Sequence, residues 1–154
     1  MPTLIQVTRK AGQEQCEIFQ GCCVSFNLRK SSQVVGRIYA REMEESPLRG
    51  PLFSLMMIIY RKGSATITAL AEDIGLDRTT LTRNLKPLQQ KGLIQIGRAA
   101  ANRKEITLLP AGEAAVQIAI KYWRKAQTKV VKELGEERWT RMREDLAAVM
   151  ALEQ

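Results

Sequence analysis

The chain has 154 residues, 45% of them apolar, so it is long enough to bury one hydrophobic core and too short for two ordinary domains. Its 24 lysines and arginines outnumber its 16 aspartates and glutamates, which gives a formal net charge of +8 and favours a polyanionic partner. The absence of histidine excludes Ser-His-Asp and Cys-His catalytic sites and any zinc site built from cysteine and histidine.

The cysteines and the N-terminus exclude further classes. Three cysteines cannot form a closed set of disulfides in a lone chain, and they lack the fourth ligand of a structural zinc site. The segment MPTLIQVTRKAGQEQ lacks the apolar core of a secretory signal, and the longest apolar run, residues 52–60, is far shorter than the roughly 20 residues of a membrane span. We therefore expect a cytoplasmic protein with no metal, no cofactor and no membrane partner.

A long helix is predicted near the N-terminus. Over residues 14–45 apolar side chains, including Ile18, Cys22 and Phe26, recur at near-helical spacing, and no proline interrupts them. A helix of about thirty residues is hard to cover within a lone small domain, so part of its apolar face is expected to pack against a second copy. The segment SPLRGP, residues 46–51, ends it.

Three shorter helices follow. Residues 52–60 predict a helix that is buried on nearly every face and closes at Gly63. In SATITALAEDIG, residues 64–75, Thr66 is the predicted N-cap and Gly75 supplies a left-handed turn residue. The third helix, in DRTTLTRNLKPLQQKG, begins at the N-cap Asp77 and is predicted to kink or loosen at Pro87.

This third helix is amphipathic and basic. Leu81, Leu85 and Leu88 fall at i, i+4 and i+7 and predict one buried stripe. Hydroxyl and basic side chains form another stripe at similar spacing, with Arg78 at its exposed start, and these are Thr79, Thr82, Arg83 and Lys86.

The C-terminal half begins with two β-prone runs, residues 93–97 and 105–109, which predict a hairpin with a projecting tip. Two helices then follow, the first opening near Pro110 and the second separated from it near Gly135. Two short helices joined by a glycine-containing turn, the second one basic, are typical of a helix-turn-helix, whose second helix enters the DNA major groove. The hairpin adds a wing. Residues 78–104 contain seven basic residues and no Asp or Glu, which strengthens this interpretation.

Residues 67–113, ITALAEDIGLDRTTLTRNLKPLQQKGLIQIGRAAANRKEITLLPAGE, resemble the winged helix-turn-helix core of the MarR family of bacterial transcription regulators. The order of a long N-terminal helix, a winged core and C-terminal helices is similar over nearly the whole chain. The resemblance implies a mainly α fold with a small β-hairpin wing, in a single domain over residues 1–154. It assigns residues 14–45 and 112–154 to dimerisation helices and residues 51–110 to the DNA-binding core.

The resemblance also implies a homodimer that binds a pseudo-palindromic operator in double-stranded DNA, usually as a repressor. By position, the recognition-helix residues are Arg78, Thr79, Thr80, Thr82, Arg83 and Lys86, and the wing residues are Arg98, Arg103 and Lys104. The wing departs from the family pattern, because the acidic residue that usually lies two positions before an arginine is absent and Asn102 precedes Arg103.

The resemblance leaves two kinds of signal that would release the protein from DNA. Some members of the family sense peroxide through a thiol near the position of Cys16, Cys22 and Cys23; Cys22 is expected to be a core residue and Cys23 an exposed or interface thiol. Other members respond to a small aromatic or phenolic effector lodged between the dimerisation helices and the winged core. The side chains that would line such a cleft here are Phe26, Tyr39, Met56, Met57 and Tyr60.

A DNA-binding transcriptional regulator is therefore the first hypothesis. The second is an architectural DNA-binding protein without an effector, which would bind with little sequence preference. The third is a cysteine-dependent redox protein. The sequence contains few of the catalytic groups that the third hypothesis requires, since it has no histidine, no Cys-x-x-Cys pair and no glycine-rich phosphate loop.

Overall fold

The computed structural model describes residues 20–98 and 104–153. The chain divides into two compact units, one ending at Arg37 and the other beginning at Ile38. The division falls inside the first long helix, α1 (Val24–Glu42). A single domain over residues 1–154 therefore stays a prediction. None of the described helices is long and apolar enough to cross a membrane.

In the first unit the helix is interrupted at Cys23. Residues 20–22 are helical, Cys23 is not, and α1 starts one residue later. At this interruption the side-chain amide of Asn27 donates to the backbone carbonyls of Gln20 and Cys23, both at 2.9 Å, and the Cys23 carbonyl also accepts the regular helical bond from the Asn27 N–H at 3.0 Å. The prediction of one uninterrupted helix is therefore wrong within its described part, and α1 also ends at Glu42 rather than at residue 45. Residues 14–19 lie outside the described residues.

The second unit holds the other described helices and the sheet. Its elements in chain order are α2 (Gly50–Lys62), β1 (Ser64–Thr66), α3 (Ile67–Ile74), α4 (Arg78–Gln90), β2 (Ile94–Arg98), β3 (Lys104–Leu108), α5 (Pro110–Leu134), α6 (Glu136–Met150) and a short 3-10 turn (Ala151–Glu153). The fold is mainly helical, as predicted. Gly63, with φ 77°, and Gly135, with φ 86°, lie where the sequence ends α2 and α5.

The sheet has three antiparallel strands in the order β1-β3-β2. β2 and β3 form the predicted hairpin, each shifted by one residue toward its tip. β1 is missing from the sequence prediction, because Ser-Ala-Thr is too short to show the alternation of a strand. It pairs with β3 by placing Ala65 opposite Ile106, and both side chains are buried. The wing therefore extends a sheet anchored in the core.

One hydrophobic core joins helices α2 to α5 and the sheet. Helix α2 contacts α3, α4, α5 and two strands, which explains why its sequence is apolar on nearly every face. Its Leu55, Met56 and Ile59 have no exposed surface. The other fully buried large side chains are Leu48, Leu70, Leu81, Leu85, Leu88, Ile94, Ile106 and Val116.

Gly112, in the first turn of α5, lies against the backbone at the start of β2. A Cβ atom at this position would meet the carbonyl oxygen of Leu93 at 2.0 Å and the Met56 side chain at 3.2 Å. That carbonyl oxygen is itself fixed, because it accepts from the Leu109 N–H at 3.0 Å. Only glycine therefore allows α5 to pack this closely on the winged core.

We expect Gly112→Ala to lower the free energy of unfolding by about 1–3 kcal/mol, as overpacking against fixed backbone does. Gly36→Ala is the matched control, because it makes the same change inside a helix where the new methyl group meets nothing within 4 Å. The control should be neutral or stabilising by up to about 1 kcal/mol. Urea unfolding measures both, and a Gly112→Ala variant as stable as the wild type would contradict this packing.

Candidate nucleic-acid interface

The start of α4 is held by its N-cap. The Asp77 carboxylate accepts from the Thr80 backbone N–H at 2.9 Å and from the Thr80 hydroxyl at 2.7 Å. These two bonds, the hydroxyl first, lower the pKa of Asp77. One turn earlier, Gly75 ends α3 in the left-handed conformation, and Thr66 caps α3 by accepting from the Ala69 N–H at 3.2 Å. The three predicted boundary residues, Thr66, Gly75 and Asp77, are confirmed.

Helix α4 has one buried face and one exposed face. Leu81, Leu85 and Leu88 are at most 1% exposed and lie in the core. Pro87 lies inside the helix, which continues to Gln90. The side chains of the hydroxyl and basic stripe are all exposed, and these are Arg78, Thr79, Thr82, Arg83 and Lys86. The amphipathic division predicted from the spacing is therefore confirmed.

Thr80 differs from the other predicted recognition residues. It is half-buried, and both its N–H and its hydroxyl donate to Asp77. A threonine has one hydroxyl proton, so Thr80 has no side-chain donor left for another partner. The structure therefore gives Thr80 a part in the helix cap, which the sequence position alone does not indicate.

Two further hydrogen bonds order the exposed face of α4. The guanidinium Nη2 of Arg78 donates to the Thr68 hydroxyl oxygen, on α3, at 2.8 Å. The Thr82 hydroxyl donates to the backbone carbonyl of Arg78 at 2.7 Å. Thr68 is not among the residues predicted from the sequence. The only signal for it was an exposed hydroxyl early in the first helix of the helix-turn-helix.

The wing presents basic side chains at the ends of its two long strands. Arg98 and Lys104 face each other directly in the β2–β3 register, and both are exposed. Like charges at facing positions destabilise a strand pair, so the stability of the hairpin does not account for this placement. Arg103 lies in residues 99–103, outside the described residues, and its position in the wing stays a prediction.

The cysteines lie differently from the expectation. Cys22 is exposed and Cys23 is partly exposed, so the prediction that Cys22 is a core residue is wrong. The reason is the interruption at Cys23, because the helical spacing that aligned Cys22 with Phe26 does not continue through it. Cys16 lies outside the described residues. A sensing role for any of the three stays a prediction.

The residues predicted to line a ligand cleft lie in different environments. Met56 is fully buried in the core, so it does not face an open cleft, and Met57 is partly buried against the core. The Tyr39 hydroxyl donates to Gln127, and burial raises the pKa of Tyr39. Tyr60 is exposed and accepts from the Gln117 side chain, whereas Phe26 belongs to the first unit. The cleft itself stays a prediction.

Comparison with known proteins decides the family. The MarR family model matches residues 49–106, which hold the helix-turn-helix and most of the wing. The transcriptional regulator MosR of M. tuberculosis is 33% identical, and the match covers 86% of this chain and 96% of MosR with a TM-score of 0.75. This chain belongs to the MarR family. As a member of that family it is a transcriptional regulator and not an enzyme.

Two further solved structures complete the comparison. MosR in complex with DNA is 35% identical, with 82% of this chain and 92% of that chain covered and a TM-score of 0.73. BpsR of Bordetella bronchiseptica, whose DNA binding is regulated by 6-hydroxynicotinic acid, shares the fold at 17% identity, with 84% and 94% covered and a TM-score of 0.77. No curated protein sequence matches the chain.

The N-cap of α4 predicts a pH-dependent stability. The lowered pKa of Asp77 means that its contribution is complete above the ordinary value of 3.8 and is lost as the pH falls through the lowered value. At neutral pH, Asp77→Ala should lower the Tm by a few degrees, because the Thr80 N–H loses its acceptor.

Asp77→Asn is the matched variant, since it keeps an oxygen for the Thr80 N–H but does not titrate. At neutral pH its Tm should stay close to that of the wild type. On acidification its Tm should fall less than that of the wild type, because the asparagine side chain does not take up the proton that Asp77 does. Thermal unfolding followed by circular dichroism, from neutral pH to below 3.8, measures both effects. An asparagine variant as unstable as the alanine variant would contradict the cap.

Proposed function

We propose that this protein is a homodimeric DNA-binding repressor that places α4 of each copy in the major groove of a pseudo-palindromic operator. The observation that carries the proposal is the exposed stripe of α4, which lies opposite the buried leucines and has no acidic side chain. A basic helix held on a core by its apolar face suits the major groove, which has the width of an α-helix.

The side chains of this stripe can recognise DNA in distinct ways. Arg83 can pair bidentately with guanine or bind a phosphate, and Lys86 can bind a phosphate. Because the Thr82 hydroxyl proton goes to the Arg78 carbonyl, the Thr82 oxygen can accept from the amino group of adenine or cytosine, and its methyl group can contact that of thymine. Thr79, one turn before Arg83, extends this surface. Thr80 is left out of it, because it belongs to the cap.

The wing is proposed to bind next to the recognition helix. The facing pair of Arg98 and Lys104 concentrates positive charge where the hairpin leaves the core. A narrow minor groove has an enhanced negative potential and attracts such side chains. Arg103, in the same segment of the sequence, is included in the proposal by its match to the family wing.

The proposal of a homodimer is supported by two helices whose side chains all keep some exposed surface in the described part of the chain. Neither α1 nor α6 has a buried side chain. Apolar side chains on both are exposed, including Val24 at 66% and Val34 at 42% on α1 and Met150 at 71% on α6. Covering these surfaces with a second copy follows the family pattern and gives two recognition helices, which would bind half-sites about 10 base pairs apart.

The proposed mode of action is repression, in which the bound dimer occludes a promoter in the cytoplasm. MosR has been crystallised with DNA, and at 35% identity it supports DNA binding by this chain. For the releasing signal we propose oxidation rather than a phenolic ligand, because the Cys22 thiol is exposed in the single chain whereas Met56 of the predicted cleft is fully buried.

Charge reversal tests the recognition helix. Arg83→Glu should weaken binding to the DNA upstream of the protein's own coding sequence by at least about a hundredfold, because it removes a contact and adds repulsion from phosphate. Arg124→Glu, an exposed arginine on α5, makes the same change in charge and should leave binding within about threefold, since it lies outside the proposed surface. Fluorescence anisotropy measures both. Equal losses in the two variants would contradict the assignment of α4.

The architectural alternative is tested by sequence preference and salt dependence. The wild type should prefer the upstream duplex over a shuffled duplex of the same composition, and Lys86→Ala should weaken both and reduce the slope of log K against log salt by about one. Equal and steeply salt-dependent binding of the wild type to both duplexes would support the architectural alternative instead.

Oxidation tests the releasing signal. The thiolate sulfur attacks one oxygen of hydrogen peroxide and becomes a sulfenic acid as the O–O bond breaks. The other oxygen leaves as hydroxide, which takes up a proton to form water. We expect peroxide to release the wild type and the Cys23→Ser variant from the upstream duplex, whereas Cys22→Ser stays bound. If a variant with Cys16, Cys22 and Cys23 all changed to serine is released as readily as the wild type, thiol sensing is wrong.

A further inference from the structure

Arg78 occupies a helix position that its charge does not favour. It is the first residue of α4, where the helix dipole attracts anions and repels cations. The carboxylate of Asp77, the preceding residue, is engaged by the Thr80 N–H and hydroxyl. The hydrogen bond recorded for the Arg78 guanidinium goes to a neutral group, the Thr68 hydroxyl, at 2.8 Å. Within residues 20–98 and 104–153 the Arg78 guanidinium therefore has a neutral hydrogen-bond partner and no ion pair.

The bond to Thr68 also restricts where the Arg78 side chain can lie. A free arginine side chain has many rotamers, and ordering them costs binding free energy. Thr68 lies near the start of α3, and α3 packs on α4 through the core, so the acceptor is on a rigid support. One of the five guanidinium N–H donors is used, and the other four stay available.

From this geometry we propose that Thr68 is a positioning residue that presents Arg78 to a base edge and so determines part of the sequence preference. The inference rests on the proposed function. In a helix-turn-helix the first turn of the recognition helix contacts base edges, and bidentate pairing with a base requires a fixed plane and position. A phosphate contact tolerates a mobile cation, so loss of positioning weakens specific binding and leaves non-specific binding unchanged.

The Thr68 hydroxyl is tested with two substitutions of nearly the same size. Thr68→Val keeps the shape and removes the oxygen, whereas Thr68→Ser keeps the oxygen. With a duplex of the upstream DNA, Thr68→Val should bind about three- to tenfold more weakly, and Thr68→Ser should bind as the wild type does. Binding of both variants to a shuffled duplex, and its salt slope, should match the wild type. Both should unfold at the wild-type temperature within a few degrees, because residue 68 is exposed.

A double-mutant cycle with Arg78→Ala separates positioning from direct contact. If Thr68 acts through Arg78, Thr68→Val causes no further loss in the Arg78→Ala background. The same loss in both backgrounds would show that Thr68 contacts DNA itself, and an equal loss on the shuffled duplex would show a phosphate contact; either result overturns the inference. If the wild type prefers the upstream duplex and Thr68→Val matches it, the inference alone fails. If the wild type shows no preference, the proposed function fails and the inference fails with it.

Discussion

The burial of Leu81, Leu85 and Leu88 is the constraint on which the rest of this structure depends. Each buried leucine contributes about 1.5–3 kcal/mol, so turning α4 away from the core would cost a large part of the roughly 5–15 kcal/mol by which a single domain is stable. Successive helical residues are about 100° apart, and the buried stripe therefore also determines which side chains face outward. Thr79, Arg83 and Lys86 are exposed because the leucines are not. The core that stabilises the domain thus also orients the surface proposed to bind DNA.

Local hydrogen bonds then define where α4 begins and how its first turn is presented. Gly75 reverses the chain, Asp77 satisfies the free N–H groups at the start of the helix, and Thr68 holds the side chain of Arg78. These contacts bury little apolar surface, but they restrict the conformations of the exposed first turn of α4. In a DNA-binding protein such order lowers the entropy lost on binding and supports recognition of bases rather than of charge alone.

Structural features determined by residues close together in the chain could be predicted from the sequence. The spacing of the leucines, the cap at Asp77 and the left-handed turn at Gly75 all have local physical causes, and the structure confirms them. Three features could not be predicted. β1 is three residues long and forms by pairing with β3. The interruption at Cys23 coincides with bonds from the Asn27 side-chain amide to the Gln20 and Cys23 carbonyls, and the Thr68–Arg78 bond joins two helices across ten residues. Each depends on contacts that periodicity does not encode.

Binding of α4 in the major groove can be tested by protection of guanine N7 from methylation when the protein binds the DNA upstream of its own coding sequence. The N7 atom of guanine lies in the major groove, where α4 is proposed to bind. We predict two protected clusters about 10 base pairs apart, one for each recognition helix of a dimer. Binding without N7 protection, or protection of a single cluster, would contradict this prediction.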